Sequence, residues 1–255
     1  MPLQKLIFKP GINKEVTRYA AGNGWYDCDK VRFRFSLPEK IGGWARISGN
    51  TFQGVCRSLW AWVTLTGAKL VGIGTHLKFY IELGGIYYDI TPIRATTTNA
   101  ATFAATDGST TITVTDNSHG AVIGDFVTFS SAVSLGGVIT ATILNAEHQI
   151  VLVPTANTYT FTASIAANSS DSGNGGSATD AAYQVSVGPE TVVPLVGFGA
   201  GTFNTGTFNV GSIESISLRQ WSQSNFGEDL VFGPRGGAPY YWDATNSVTT
   251  RGVAL

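Results

Sequence analysis

Apolar and polar residues alternate in short runs along this chain, and glycine, asparagine and proline punctuate the runs. The clearest run is KVRFRF, residues 30–35. On a strand, Val31, Phe33 and Phe35 point to one face and Lys30, Arg32 and Arg34 to the other. Further strands are predicted at TTITVT (110–115), DFVTFS (125–130), VITATIL (138–144), HQIVLV (148–153) and TYTFTA (158–163). Almost nothing carries a helical period. The pattern predicts an all-β chain.

Two long stretches read as copies of one unit: LWAWVTLTGAKLVGIGTHLKFYIELGGIYYDIT (59–91) and LRQWSQSNFGEDLVFGPRGGAPYYWDATNSVTT (218–250). Trp62 aligns with Trp221, Gly67 with Gly227, Leu70-Val71 with Leu230-Val231, and Phe79-Tyr80 with Tyr240-Tyr241, at offsets of 159, 160, 160 and 161. Each reads as strand, turn, strand, turn, strand, an antiparallel unit the size of a propeller blade.

Between the copies the character changes. Residues 95–186 contain no Trp, Lys or Arg and read as a small β-sandwich or barrel spliced into the blade array. NSSDSGNGGSATD (168–180) has the composition of a flexible loop. The predicted organisation is an N-terminal propeller-like segment over 1–94, an inserted β-domain over 95–186, and a return to the propeller-like body over 187–255.

The return begins with GFGAGTFNTGTFNVG (197–211), a five-residue beat of glycine and phenylalanine. Phe198, Phe203 and Phe208 cannot share one face of a regular strand. They suit successive pockets, either between body and insert or between neighbouring copies, with each glycine allowing a turn or a close backbone approach. The GxGxG spelling does not make a phosphate loop, because no Lys-Ser/Thr pair and no helix follow it.

Composition narrows the classes. The 255 residues are 43% hydrophobic and 13% charged, with six Trp, nine Tyr and fourteen Phe, so the chain can build a core and is not disordered. Net charge is −1, but it is unevenly spread. Residues 1–94 carry thirteen Lys and Arg against six acids; residues 95–218 carry eight acids and no base; residues 219–255 carry three of each. Such a split points to units with different neighbours. No secretory signal and no apolar run of about 18 residues is present, so a soluble chain made in the cytoplasm is expected, with Cys28 and Cys56 reduced and buried.

The search for chemistry yields little. His76, His119 and His148 are scattered without ligand spacing, so no metal site and no cofactor are expected. No serine sits in GxSxG. The neighbouring acids Asp27 and Asp29, and Glu228 and Asp229, read as turn residues rather than a glycosidase pair. Lys30, Arg32 and Arg34 are the sharpest charged feature. They form either a solvated face balanced by cross-strand acids such as Glu39, or a contact for an acidic partner or DNA phosphate.

One block resembles a known family. GWYDCDKVRFRFSLPEKIGGWARIS (24–48) is similar to the N-terminal region of bacteriophage tail hub or nozzle proteins of short-tailed phages, also called packaged-DNA stabilisation or tail tubular proteins. The stretches 56–82, 197–208 and 221–243 resemble the same family, and the insert resembles β-domains spliced into it. The resemblance implies a partial β-propeller-like body of antiparallel blades with an inserted small β-sandwich or barrel. It implies a virion protein, made in the host cytoplasm and placed in the tail, whose copies form a six-fold ring below the portal and adaptor. That ring extends the DNA channel and retains packaged DNA, without sequence-specific contact, until ejection. No enzymatic activity is implied. Family members are longer and a closed propeller needs about four blades, so an N-terminal fragment is expected. The alternative is a virion adhesin whose insert binds a host glycan, although the insert offers only Tyr159 and Tyr183 for stacking on sugars.

Overall fold

The computed structural model describes residues 9–20, 22–43, 45–46, 48–135, 137–176, 178–188 and 219–255. It divides into two units, Met1–Ile47 and Ser48–Leu255. The sequence suggested one N-terminal segment over 1–94. Among the described residues, the strands of the first unit, β1 (Val31–Arg34) and β2 (Leu37–Lys40), pair with each other.

The described residues of the second unit form three antiparallel sheets. A meander opens it: β3 (Cys56–Val63), β4 (Lys69–Thr75), β5 (Phe79–Leu83) and β6 (Ile86–Asp89). The insert follows as β7 (Ile93–Thr97), β8 (Thr102–Ala105), β9 (Thr111–Thr115), β10 (Phe126–Ser130), β11 (Glu147–Thr155), β12 (Thr158–Thr162), β13 (Asp171–Asn174) and β14 (Asp180–Gln184). A second meander closes it: β15 (Trp221–Phe226), β16 (Asp229–Pro234), β17 (Tyr240–Trp242) and β18 (Val253–Ala254). The chain is all-β, with a single helical turn, α1 (Ala141–Leu144), among the described residues. No described helix is long and apolar enough to cross a membrane.

The insert starts and ends at one place because β7 and β14, its first and last strands, pair with each other. Its strands run in the order β13-β8-β9-β12-β11-β10-β14-β7. Strand β11 carries the sheet around a corner: Glu147–Gln149 pair with β10, while Ile150 onward pairs with β12 through two register shifts. Phe103, Ile112, Val127, Phe129, Phe161 and Tyr183 therefore meet in one core. Alternation explains this burial, since Ile112 and Val114 of β9 turn inward while Thr111 and Thr115 stay outside.

Two expectations fail inside the insert. VITATIL is not a strand: Ala141–Leu144 form the helical turn, and Leu144 N–H reaches Thr140 O. Asn145 holds that turn by exchanging two hydrogen bonds of 2.8 Å with the Ala132 backbone. The Gly/Ser-rich stretch is not all loop, since β13 within it adds an edge strand beside β8. Pairing with a neighbour outweighs weak strand propensity.

The meanders face each other across an aromatic core. Phe79 stacks on Phe232 at 4.3 Å and meets Trp221 edge-on at 4.9 Å, and Trp62 meets Trp242 edge-on at 6.4 Å. Three indole N–H groups donate across the seam: Trp221 to Thr75 O at 2.7 Å, Trp62 to Glu228 O at 2.9 Å, and Trp60 to Asn225 Oδ1. Glycine makes the approach possible, because a Cβ on Gly74 would collide with the Trp221 indole.

The two copies do share the four-stranded meander, but not the residue matches drawn from sequence. Leu70 and Leu230 are equivalent and buried, yet Leu70 pairs with Trp62 whereas Leu230 pairs with Asn225. Ile81, not Phe79, occupies the place of Tyr240. Both errors are even-numbered, so each residue stays on the expected face while the register moves. Two meanders do not close a propeller.

Candidate interaction surfaces

The basic hairpin belongs to the first unit. Arg32 sits opposite Glu39 and their side chains pair at 3.2 Å, the cross-strand balance that the outer-face reading describes. Lys30 precedes the strand with a positive φ of 57° and lies 3.9 Å from Asp29. Arg34 has no carboxylate partner among the described residues; its guanidinium lies 5.3 Å from the Phe35 ring centre. Phe35 itself departs from expectation. It does not share the Val31 and Phe33 face, because Phe35 and Ser36 form the turn at φ of 50° and 68°. Both central residues with positive φ make the tight two-residue connection that suits a twisted hairpin. Phe35 is consequently 86% exposed. Phe198, Phe203 and Phe208 lie outside the described residues.

The other residues weighed for chemistry have local roles. Asp27 pairs with Lys14 at 3.1 Å. Asp229 accepts from Ala244 N–H at 2.8 Å and from the Tyr241 hydroxyl, and Glu228 accepts from Leu65 N–H at 2.7 Å. His76 and His119 each accept a backbone N–H at Nδ1, from Val55 and Ala121. The ring of His148 stacks 3.9 Å from Phe161, and burial holds its pKa below the ordinary value. No group of three or more His, Cys, Asp or Glu converges among the described residues. Both cysteines are free, but Cys28 is half-buried and Cys56 exposed, so neither occupies the core position expected of it.

Two polar clusters appear that the sequence did not reveal. The first joins the insert to both meanders. Lys78, only 5% exposed at its side chain, binds Asp89 at 2.8 Å and Glu147. Arg251 lies 3.5 Å from Asp89 and 3.4 Å from Glu147, and Gln184 also donates to Glu147. The Lys78 ammonium sits 4.5 Å from the centre of the Phe126 ring. Burial pushes the Asp89 carboxyl up, but Lys78 and Arg251 outweigh it and hold the pKa below 3.8. These residues are 11 to 173 positions apart and share no motif.

The second cluster lies inside the insert. The Asp116 carboxylate is 1% exposed and accepts from Tyr183 at 2.6 Å and from Thr97 at 2.5 Å. Tyr159 and Tyr183 hydroxyls meet at 3.0 Å. Burial, and then the neighbouring Tyr159 and Asp116, push the Tyr183 phenol far above its ordinary range, so it remains a donor.

Strand β3 also exposes apolar side chains. Among the described residues it is an edge strand, paired only with β4. Its inner face, with Trp62, rests on the second meander; its outer face presents Leu59 at 64% and Val63 at 60% exposure, flanking an exposed Ala61. Sequence reading took this strand for an ordinary blade strand, and an uncharged run, SLWAWV, was the available signal. An open groove of about 480 Å³ lies elsewhere, on the second meander, lined by residues 222–224 and 231–239; no carboxylate lines it.

No family model matches the chain, and no curated protein matches it. Among solved structures it is similar to the phage phi92 endosialidase, at 17% identity and a TM-score of 0.31, over 92% of this chain and 33% of that one. The chain thus spans about a third of the length of that protein. The finding corrects one expectation. A neighbour that is an endosialidase removes the ground for stating that the chain has no enzymatic activity, although the likeness assigns no catalytic residue here.

Proposed function

We propose that this chain is a structural component of a bacteriophage virion, and within it a tail hub or nozzle subunit. Its copies form a six-fold ring below the portal and adaptor, extend the DNA channel and hold packaged DNA until ejection. The observation that carries this reading is the block at residues 24–48, whose Trp, acidic turn, V-R-F-R and P-E-K-I-G-G-W elements resemble that family. The architecture is in keeping with it, since two blade-like meanders bracket an insert that enters and leaves at one point. The insert's lack of Lys and Arg between residues 95 and 186 also suits a wall past which DNA slides, because backbone affinity comes from basic contacts.

The test is native mass spectrometry of the protein expressed from its full reading frame, with negative-stain imaging of the same sample. Rings of six with a central hole are expected. A protein that forms no ring at any concentration refutes the assignment.

A further inference from the structure

We propose that the interior of the insert binds a single water molecule, held between Asp116, His119 and Tyr159. Asp116 is 1% exposed and His119 4%, and no Lys or Arg between residues 95 and 186 is at hand to offset the buried carboxylate. The loop over residues 116–121 carries both side chains inward. Asn157 pins it, accepting Asp116 N–H at its backbone carbonyl and Ser118 N–H at its side-chain oxygen, both at 2.9 Å. Ser118 and Gly120 take positive φ of 56° and 59° on either side of His119, which turns the chain back on itself. The imidazole then meets Tyr159 edge-on at 4.8 Å and stacks on Tyr183 at 6.3 Å, the two tyrosines whose hydroxyls lead to Asp116.

The donors and acceptors say what this place takes. Asp116 Oδ2 accepts twice, from Tyr183 and from Thr97. Among the described residues, Asp116 Oδ1 and His119 Nε2 are buried with no hydrogen-bond partner, so they do not bond to each other. Leaving such atoms unpaired is costly, and an internal water is the usual remedy. His119 Nδ1 accepts Ala121 N–H at 3.0 Å, so the neutral ring carries its proton on Nε2. Tyr183 spends its proton on Asp116, so the Tyr159 hydroxyl donates to the Tyr183 oxygen and keeps a lone pair open. One donor and two acceptors therefore remain around the same two rings. A water accepts from His119 Nε2–H and donates to Asp116 Oδ1 and to the Tyr159 oxygen, the three bonds typical of a buried water. A cation suits the place less, because His119 presents a proton to it. The proposal concerns one copy of the chain and does not rest on the ring reading.

The experiment is a high-resolution crystal structure of the full chain, beside the His119→Gln and His119→Phe variants. Density for one water is expected about 2.7–3.2 Å from both Asp116 Oδ1 and His119 Nε2. Both variants lose the Nδ1 acceptor, but Gln keeps an N–H donor near the Nε2 position and Phe has none, so their difference isolates the donor to the water. The water should persist in His119→Gln and be lost in His119→Phe. Oxygen-17 relaxation dispersion, which counts long-lived internal waters in solution, should find one fewer in the Phe variant than in the Gln variant. If the Phe variant does not fold, the parent structure alone decides. A direct Asp116–His119 bond, an Nε2–H aimed at the Tyr159 ring with no water beside it, a metal ion in the place, or equal water counts in the two variants each overturns the proposal.

Discussion

Replacing Lys78 with Met tests whether the charge cluster holds the insert to the two meanders. Met keeps an apolar stem but loses the ammonium that lies over Phe126, and it leaves Asp89 and Glu147 facing each other without their shared cation. Removing one partner of a buried ion pair costs about 3–5 kcal/mol, chiefly because the remaining charge stays desolvated. Here Arg251 remains within 3.5 Å of both carboxylates, and its side chain is 31% exposed, so it takes up part of the loss. A net cost of about 2–4 kcal/mol follows. For a unit of this size each kcal/mol moves the midpoint by about 2–4 °C, so a fall of roughly 5–12 °C is expected by calorimetry. Adding Glu147→Gln should recover part of it, because the second change removes an unpaired charge. Arg32→Gln in the exposed hairpin pair supplies the contrast, with an effect of about 0–1 kcal/mol. A Lys78→Met midpoint within 2 °C of the parent would refute the claim that this cluster is a principal fastening.

Other expectations follow from the same geometry. The Asp89 pKa is depressed on folding, so its contribution is present above the unfolded value of 3.8 and is lost as pH falls through the folded one; urea midpoints should drop below about pH 4, and less so in Asp89→Asn. Asp125 runs the opposite way: burial raises its pKa, so the parent should lose stability relative to Asp125→Asn as pH rises from 4 toward 7 in the same titration. Tyr183→Phe withdraws a hydroxyl from the buried Asp116 carboxylate and should cost about 1–3 kcal/mol by urea denaturation. Gly74→Ala drives a methyl group into Trp221 at the seam and should cost at least about 1–3 kcal/mol, seen as a lower midpoint and altered tryptophan fluorescence.

Much of the strand content was legible because period-two alternation is a local signal. TTITVT, DFVTFS and TYTFTA became β9, β10 and β12 within a residue or two. Strands β7, β8 and β14 escaped notice, since IRATT, TFAA and DAAYQ are short, small and weakly patterned. They are strands because neighbours supply their hydrogen bonds. The tryptophan repeat marked two meanders correctly but misplaced their registers, which turns and cross-strand partners set.

The sequence by itself determined the all-β class and the change of character between body and insert, because alternation and the absence of basic residues can be read along the chain. It also supplied the hairpin cations and the acid that pairs with Arg32, Glu39, a few residues away. Only the tertiary structure decided that Lys78, Asp89, Glu147 and Arg251 form one buried cluster and that Asp116 ends among tyrosines. Each of these depends on chain segments far apart in sequence sharing one desolvated place. Such proximity is set by the packing of whole sheets, and no local pattern encodes it.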